Sequence, residues 1–98
     1  MFRHVVMFRW KDGTTAEHVR AVEDGLAGLP GAIPELRAYS FGPDAGVNEG
    51  NFDFAVVADF DDADGYVTYR DHPAHQSVLA ELLRPHIAER AAVQFQVD

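Results

Sequence analysis

The sequence predicts an α+β subunit in which a four-stranded antiparallel sheet carries helices on one face. Two stretches, 2–10 and 52–60, alternate large apolar residues with their neighbours at the two-residue period of a strand. Two others repeat apolar residues at helical spacing: Val19, Val22, Leu26 and Leu29, and Val78, Leu79, Leu82 and Leu83. The third observation is their order along the chain, strand, helix, strand, strand, helix pair, strand, which defines the ferredoxin-like arrangement βαββαβ.

Phe2, His4, Val6, Phe8 and Trp10 form one side of the first strand, and Arg3, Val5, Met7 and Arg9 the other. Lys11-Asp12-Gly13 reads as a turn, and Thr14 with Glu17 three residues on predicts a capping box for the first helix. Gly28, Pro30, Gly31 and Pro34 end that helix, and Leu36 to Gly42 reads as the second strand. Residues 43–51 hold glycines, acids and asparagines, a polar loop or wide hairpin. In the third strand Phe52, Phe54, Val56, Ala58 and Phe60 alternate with Asp53, Ala55, Val57 and Asp59. A short helix then runs from Asp61 or Asp62 to about Arg70. Its dipole accounts for the acids Asp59, Asp61, Asp62 and Asp64 without a metal. Pro73 opens a further helix that Pro85 disturbs, and Val93, Phe95 and Val97 mark the last strand.

Composition bounds the function. A chain of 98 residues holds one domain, 1–98, and at this size folding hides only about 60 to 65% of the unfolded chain's surface. Without cysteine there is no disulfide, thiolate nucleophile, iron–sulfur cluster or Cys-based zinc site. Sixteen acids against eight bases disfavour nucleic acid and anionic membranes as partners. No apolar run reaches the roughly 18 to 20 residues of a membrane span, and Arg9 and Lys11 interrupt any signal-peptide pattern, so a cytoplasmic location is expected. Val5, Met7, Ala55 and Val57 are apolar on the strand face that the helices leave uncovered. A homodimer with two sheets face to face would bury them.

Chemistry is expected between the sheet and the helices. His75, Val78, Leu79 and Leu82 share one helix face, which aims His75 inward. Tyr69 ends the preceding helix, where the Asp71-His72 turn can bring its hydroxyl back to the same space. His4 shares its strand face with Val6 and Phe8 and converges there too. Two desolvated, neutral imidazoles and a phenol form an acid–base set for taking a proton next to a carbonyl. The same residues also have a structural reading, as hydrogen-bonded core histidines and an amphipathic tyrosine.

His72 and His75 lie three apart, but Pro73 places His72 at the helix cap and no third ligand has a suitable spacing, so no metal is expected. Asp44, Asn48 and Glu49 fit a solvated loop, and His18 and His86 read as surface or helix-end residues without a role. With no phosphate-binding glycine loop, nucleophilic serine setting or dinucleotide fingerprint, any activity is expected to be cofactor-free.

The opening His4-Val5-Val6-Met7-Phe8-Arg9-Trp10-Lys11, the apolar third strand, and Tyr69 followed by His72-Pro73-Ala74-His75 resemble the stress-responsive A/B barrel (Dabb) family over essentially the whole chain. The resemblance implies a dimeric α/β barrel of ferredoxin-like subunits. It is similar over this length to the family's plant polyketide cyclase, which forms olivetolic acid. That similarity implies His75 as general base and Tyr69 as the group that holds or polarises a carbonyl. It also implies a ligand surface of His4, Val6, Phe8, Phe54, Val56 and His72 for a small apolar or phenolic molecule. Where the cyclase has a histidine on its third strand this chain has Phe54, which implies a smaller or differently shaped pocket. Some relatives hold a cation through backbone carbonyls at the end of the first helix, here around Leu29 to Ile33. Two alternatives accompany cyclase-like chemistry: a cofactor-free monooxygenase of the antibiotic-biosynthesis type, and a non-catalytic, stress-related structural dimer.

Overall fold

The computed structural model describes residues 1–98 and contains β1 (Phe2–Trp10), α1 (Ala16–Ala27), α2 (Leu29–Ala32), β2 (Ala38–Pro43), β3 (Phe54–Phe60), α3 (Ala63–Asp71), α4 (Pro73–Val78) and β4 (Ile87–Gln96). The strands form one antiparallel sheet in the order β2-β3-β1-β4. The two stretches that alternate most clearly are thus the two central strands. This is the expected ferredoxin-like arrangement.

Strand register sorts the side chains into two faces. Across β1 and β3, Phe8 lies opposite Phe54, Val6 opposite Val56 and His4 opposite Ala58. Across β1 and β4, Phe8 lies opposite Arg90, Val6 opposite Ala92 and His4 opposite Gln94. This face meets the helices and buries Val6, Phe8, Phe54, Val56 and Phe60 against Val22, Leu26, Leu29, Ile33, Val78 and Leu83. Gly25 permits the close approach of α1 to the turn after α4, since a Cβ there would stand 2.6 Å from Leu82 Cδ1.

The other face has no helix over it. Val5 lies between Val57 and Val93, and Met7 between Ala55 and Ala91. Val93 is 60% and Phe95 47% exposed. Beside them Arg3 grips Asp59 through two hydrogen bonds of 2.7 and 2.8 Å, which holds the Asp59 carboxyl below the usual carboxylate range.

Local chemistry shifts several element boundaries from the sequence expectations. The capping box of α1 joins Thr15 and His18, with the His18 N–H donating to Thr15 Oγ1 at 3.2 Å and the Thr15 N–H to His18 Nδ1 at 3.1 Å. Thr14 instead closes the turn onto the Lys11 carbonyl. β2 begins at Ala38 rather than Leu36, and β3 at Phe54 rather than Phe52. Asp53 leaves the β3 ladder to bond the Phe8 carbonyl and the Trp10 N–H. Of the acids assigned to the α3 dipole, Asp62 caps the helix and Asp64 lies in its first turn, whereas Asp59 and Asp61 pair with Arg3 and Arg37. Past α4 the chain widens into a π-turn at Leu79–Leu83 and tightens into a 3₁₀ turn at Arg84–His86, where Pro85 removes a backbone donor.

Candidate functional site

Three elements bring His4, Tyr69 and His75 around one cavity of about 160 Å³ between the sheet and the helices. β1 carries His4 to the helix-covered face, while α3 carries Tyr69 in its last turn and ends at Asp71. His72 then becomes the N-cap of α4, its Nδ1 accepting the Ala74 N–H at 3.1 Å. The reversal lays the His75 ring on Tyr69 with centroids 4.1 Å apart. Val6, Phe8, Leu26, Val56, Leu79 and Leu83 supply apolar wall. Leu79 and Leu83, the two ends of the π-turn, both line the cavity.

Hydrogen bonding defines the state of His75. Its Nδ1 stands 3.0 Å from the Arg70 carbonyl oxygen, which can only accept, so the proton of the neutral ring is on Nδ1 and the lone pair on Nε2. Nε2 makes no hydrogen bond, yet no buried side-chain nitrogen or oxygen lacks a partner. That lone pair is therefore not sealed by protein atoms. Burial lowers the His75 pKa, partly offset by the bond to Arg70. His4 is pushed down to about 4, by burial first and then by the positive charge of Arg90 and the proximity of the second imidazole, His75. Its Nδ1 is 3.0 Å from the Gln94 amide nitrogen, and its ring packs on Tyr66 at 4.7 Å. Both imidazoles are neutral bases at neutral pH.

The phenols are the complementary acids. The Tyr69 hydroxyl lies 2.8 Å from the Tyr39 hydroxyl, so one donates to the other and the second proton remains available. Burial pushes Tyr39 up to about 12 and raises Tyr69 further, with Tyr39 adding to the Tyr69 shift. Both stay protonated at neutral pH. A basic nitrogen and a hydrogen-bond-donating phenol pair thus share a small apolar space, an arrangement able to take a proton from carbon or oxygen while holding a carbonyl oxygen.

Two residues expected on the ligand surface stand outside this cavity. His72 is engaged at the α4 cap, and Phe54 packs between Trp10 and Phe41 at centroid distances of 5.6 and 6.4 Å, toward the far end of the strands. His72 and His75 also turn to different backbone partners, Ala74 and Arg70. Tyr39, Tyr66, Arg90 and Gln94, by contrast, surround the site without having been singled out in the sequence. Tyr39 carries a usable signal, since it alternates into the helix-covered row of its strand, opposite Ala58. A wider hollow of about 540 Å³ lies elsewhere, bordered by Met7, Gly42–Ala45, Gly50–Phe52, Phe54 and Ala55. Its one titratable side chain is Asp44, so it offers no acid–base pair.

The fold and site together define a class: a ferredoxin-like α+β subunit with a cavity of imidazoles and phenols between sheet and helices. The family described as the stress responsive A/B barrel domain matches residues 2–97, and the chain belongs to that family. An uncharacterised protein of Streptomyces coelicolor is 33% identical over 82 residues, which cover 82% of this chain and 84% of the relative. A dimeric ferredoxin-like protein of unknown function from Thermobifida fusca superposes with a TM-score of 0.91 at 50% identity, over 98% of this chain and 90% of that one. A hydroxynitrile lyase from Passiflora edulis superposes with a TM-score of 0.85 over 99% and 93% of the two chains; at 17% identity the likeness is of fold. No helix is long and apolar enough to cross a membrane.

Proposed function

We propose that this protein is a homodimer that binds a small apolar or phenolic molecule between sheet and helices and catalyses a cofactor-free proton transfer at it. The observation that carries the reading is the bonding of His75: a carbonyl holds Nδ1–H, Nε2 is left without a protein partner, and His75 lines the cavity together with Tyr69 and Tyr39. In this reading His75 Nε2 takes the proton α to a carbonyl and Tyr69 donates a hydrogen bond to the oxygen as enolate charge develops. His4 and Tyr66 close the polar side. The cavity is close to the roughly 150 Å³ that accepts benzene in other proteins, which favours a ligand with one ring or an equally compact skeleton.

The dimer is supported by the uncovered Val5, Met7, Val57, Val93 and Phe95 surface and by the dimeric Thermobifida fusca relative. The purely structural alternative requires the protein's own side chains to fill the space. Of the candidates for filling it, Trp10 and Phe54 lie outside the cavity, while Phe8, Leu79 and Leu83 form its wall.

Deuterium uptake at the methyl group of acetophenone in D2O, followed by NMR, tests the reading directly. The protein should accelerate exchange over buffer, and His75→Ala and Tyr69→Phe should each lower the rate about a hundredfold with the fold retained. No acceleration, or equal rates in the variants, would contradict it.

A further inference from the structure

The charge around the cavity runs against that of the protein. Asp and Glu outnumber Lys and Arg sixteen to eight in the chain. Yet no acidic residue lines the cavity, whereas two arginines do, Arg70 and Arg90. Arg70 is already held by Asp71 at 2.9 and 3.1 Å. Arg3, Arg9 and Arg37 are likewise paired, with Asp59, Glu89 and Asp61. Arg90 makes no ion pair and no side-chain hydrogen bond, although it stands on the helix-covered row of β4, opposite Phe8 and two steps along that row from Gln94, the partner of His4. Its charge reaches far enough inward to help keep His4 neutral.

A solvated guanidinium at the edge of an apolar cavity costs little while the site is empty, because water satisfies its donors. Its planar fork matches a carboxylate through two parallel hydrogen bonds, and a ligand bound there would meet no competing carboxylate from the cavity wall. The opposite side of the cavity presents neutral imidazoles and protonated phenols, which suit an uncharged carbonyl or hydroxyl. The site is therefore polarised, with one cationic edge, an apolar middle and a neutral acid–base side.

Resting on the proton-transfer reading above, we propose that Arg90 is a specificity residue and that the ligand is a compact monocarboxylate with a single ring or comparable skeleton. Its carboxylate meets Arg90, its carbon framework lies against Val6, Val56, Leu79 and Leu83, and its reacting carbonyl or hydroxyl faces Tyr69 and His75. Arg90 holds the ligand in register for the base without entering the proton transfer.

NMR titration with benzoate, its neutral analogue benzamide, and phenol tests this on the intact protein, Arg90→Gln and Arg90→Lys. Arg90 is exposed, so its substitution leaves the core intact. Benzoate should bind the unaltered protein about tenfold more tightly than benzamide, the scale of one charge-assisted contact. Arg90→Gln should remove that preference by weakening benzoate alone, and Arg90→Lys should restore part of it. Equal affinity for benzoate and benzamide, or a preference that survives Arg90→Gln, would overturn the role of Arg90. If phenol and benzamide still bind in that case, the cavity reading stands without it; if none of the three binds, both fall.

Discussion

Acid should weaken this fold through one residue near its N-terminus. His4 is 5% exposed, and its pKa is lowered from 6.5 to about 4 by burial, Arg90 and His75. In the unfolded chain the imidazole recovers its ordinary value of about 6.5. Between those values the unfolded state binds more protons than the folded state, so stability rises with pH. The contribution is fully present above about pH 6.5, declines as the solution is acidified, and levels off below about pH 4, where both states carry the proton. The lowering from 6.5 to about 4 corresponds to roughly 3 kcal/mol, of which about 2 to 3 should be lost between about pH 7.5 and pH 4.5. His75 acts in the same direction, since its pKa is also lowered by burial. Comparing His4→Leu with the unaltered protein separates the two. Urea unfolding of both at fixed protein concentration should show a pH dependence that is shallower in the variant by about 2 kcal/mol or more. Parallel profiles would show that His4 is not desolvated in the folded state and would refute the reasoning.

Two further perturbations test the assembly and the helix start. Val57→Asp places a charge on the uncovered face between Val5 and Ser40 and should dissociate the dimer or unfold the subunit, because an unpaired charge in an apolar contact is costly; an unaltered dimer by size-exclusion chromatography with light scattering would contradict sheet-to-sheet pairing. Thr15→Ala removes the side-chain acceptor of the α1 cap and should cost about 1 kcal/mol in denaturant unfolding. A similar loss from Thr14→Ala, and none from Thr15→Ala, would return the cap to the position expected from sequence.

Most of the fold was legible because β1 and β3 are central strands with one apolar face against helices. Period-two alternation is strongest where burial differs most between faces, as it does for Val6 and Phe8 against Met7 and Arg9. The edge strand β4 was harder to bound. Its row on the helix side of the sheet reads Arg90, Ala92, Gln94, more polar than the opposite row, Ala91, Val93, Phe95, and solvent reaches both. Only the register of β4 against β1 shows that Arg90 and Gln94 face the cavity side.

Helical spacing was sufficient to place His75 beside the core, and the Asp71-His72 turn to fold Tyr69 back toward it. The π-turn was invisible, since Val78, Leu79, Leu82 and Leu83 make the same stripe in an α-helix. His18 was expected at a surface or helix end without a role, because a histidine at the third helical position does what glutamate usually does in a capping box. Phe54 was placed on the ligand surface through the similarity to the cyclase, but one face of a long strand pair serves more than one neighbourhood. Trp10 and Phe41 claim its far end.

The most direct test is the state of His75 itself, read from its ring nitrogens by ¹⁵N NMR at neutral pH, with and without phenol. A neutral ring protonated at Nδ1, with an Nε2 signal that moves when phenol is added, is the expected result, since the Arg70 carbonyl fixes the first and the open cavity permits the second. A ring protonated at Nε2, an imidazolium, or an Nε2 signal indifferent to phenol would contradict a base poised in a ligand cavity.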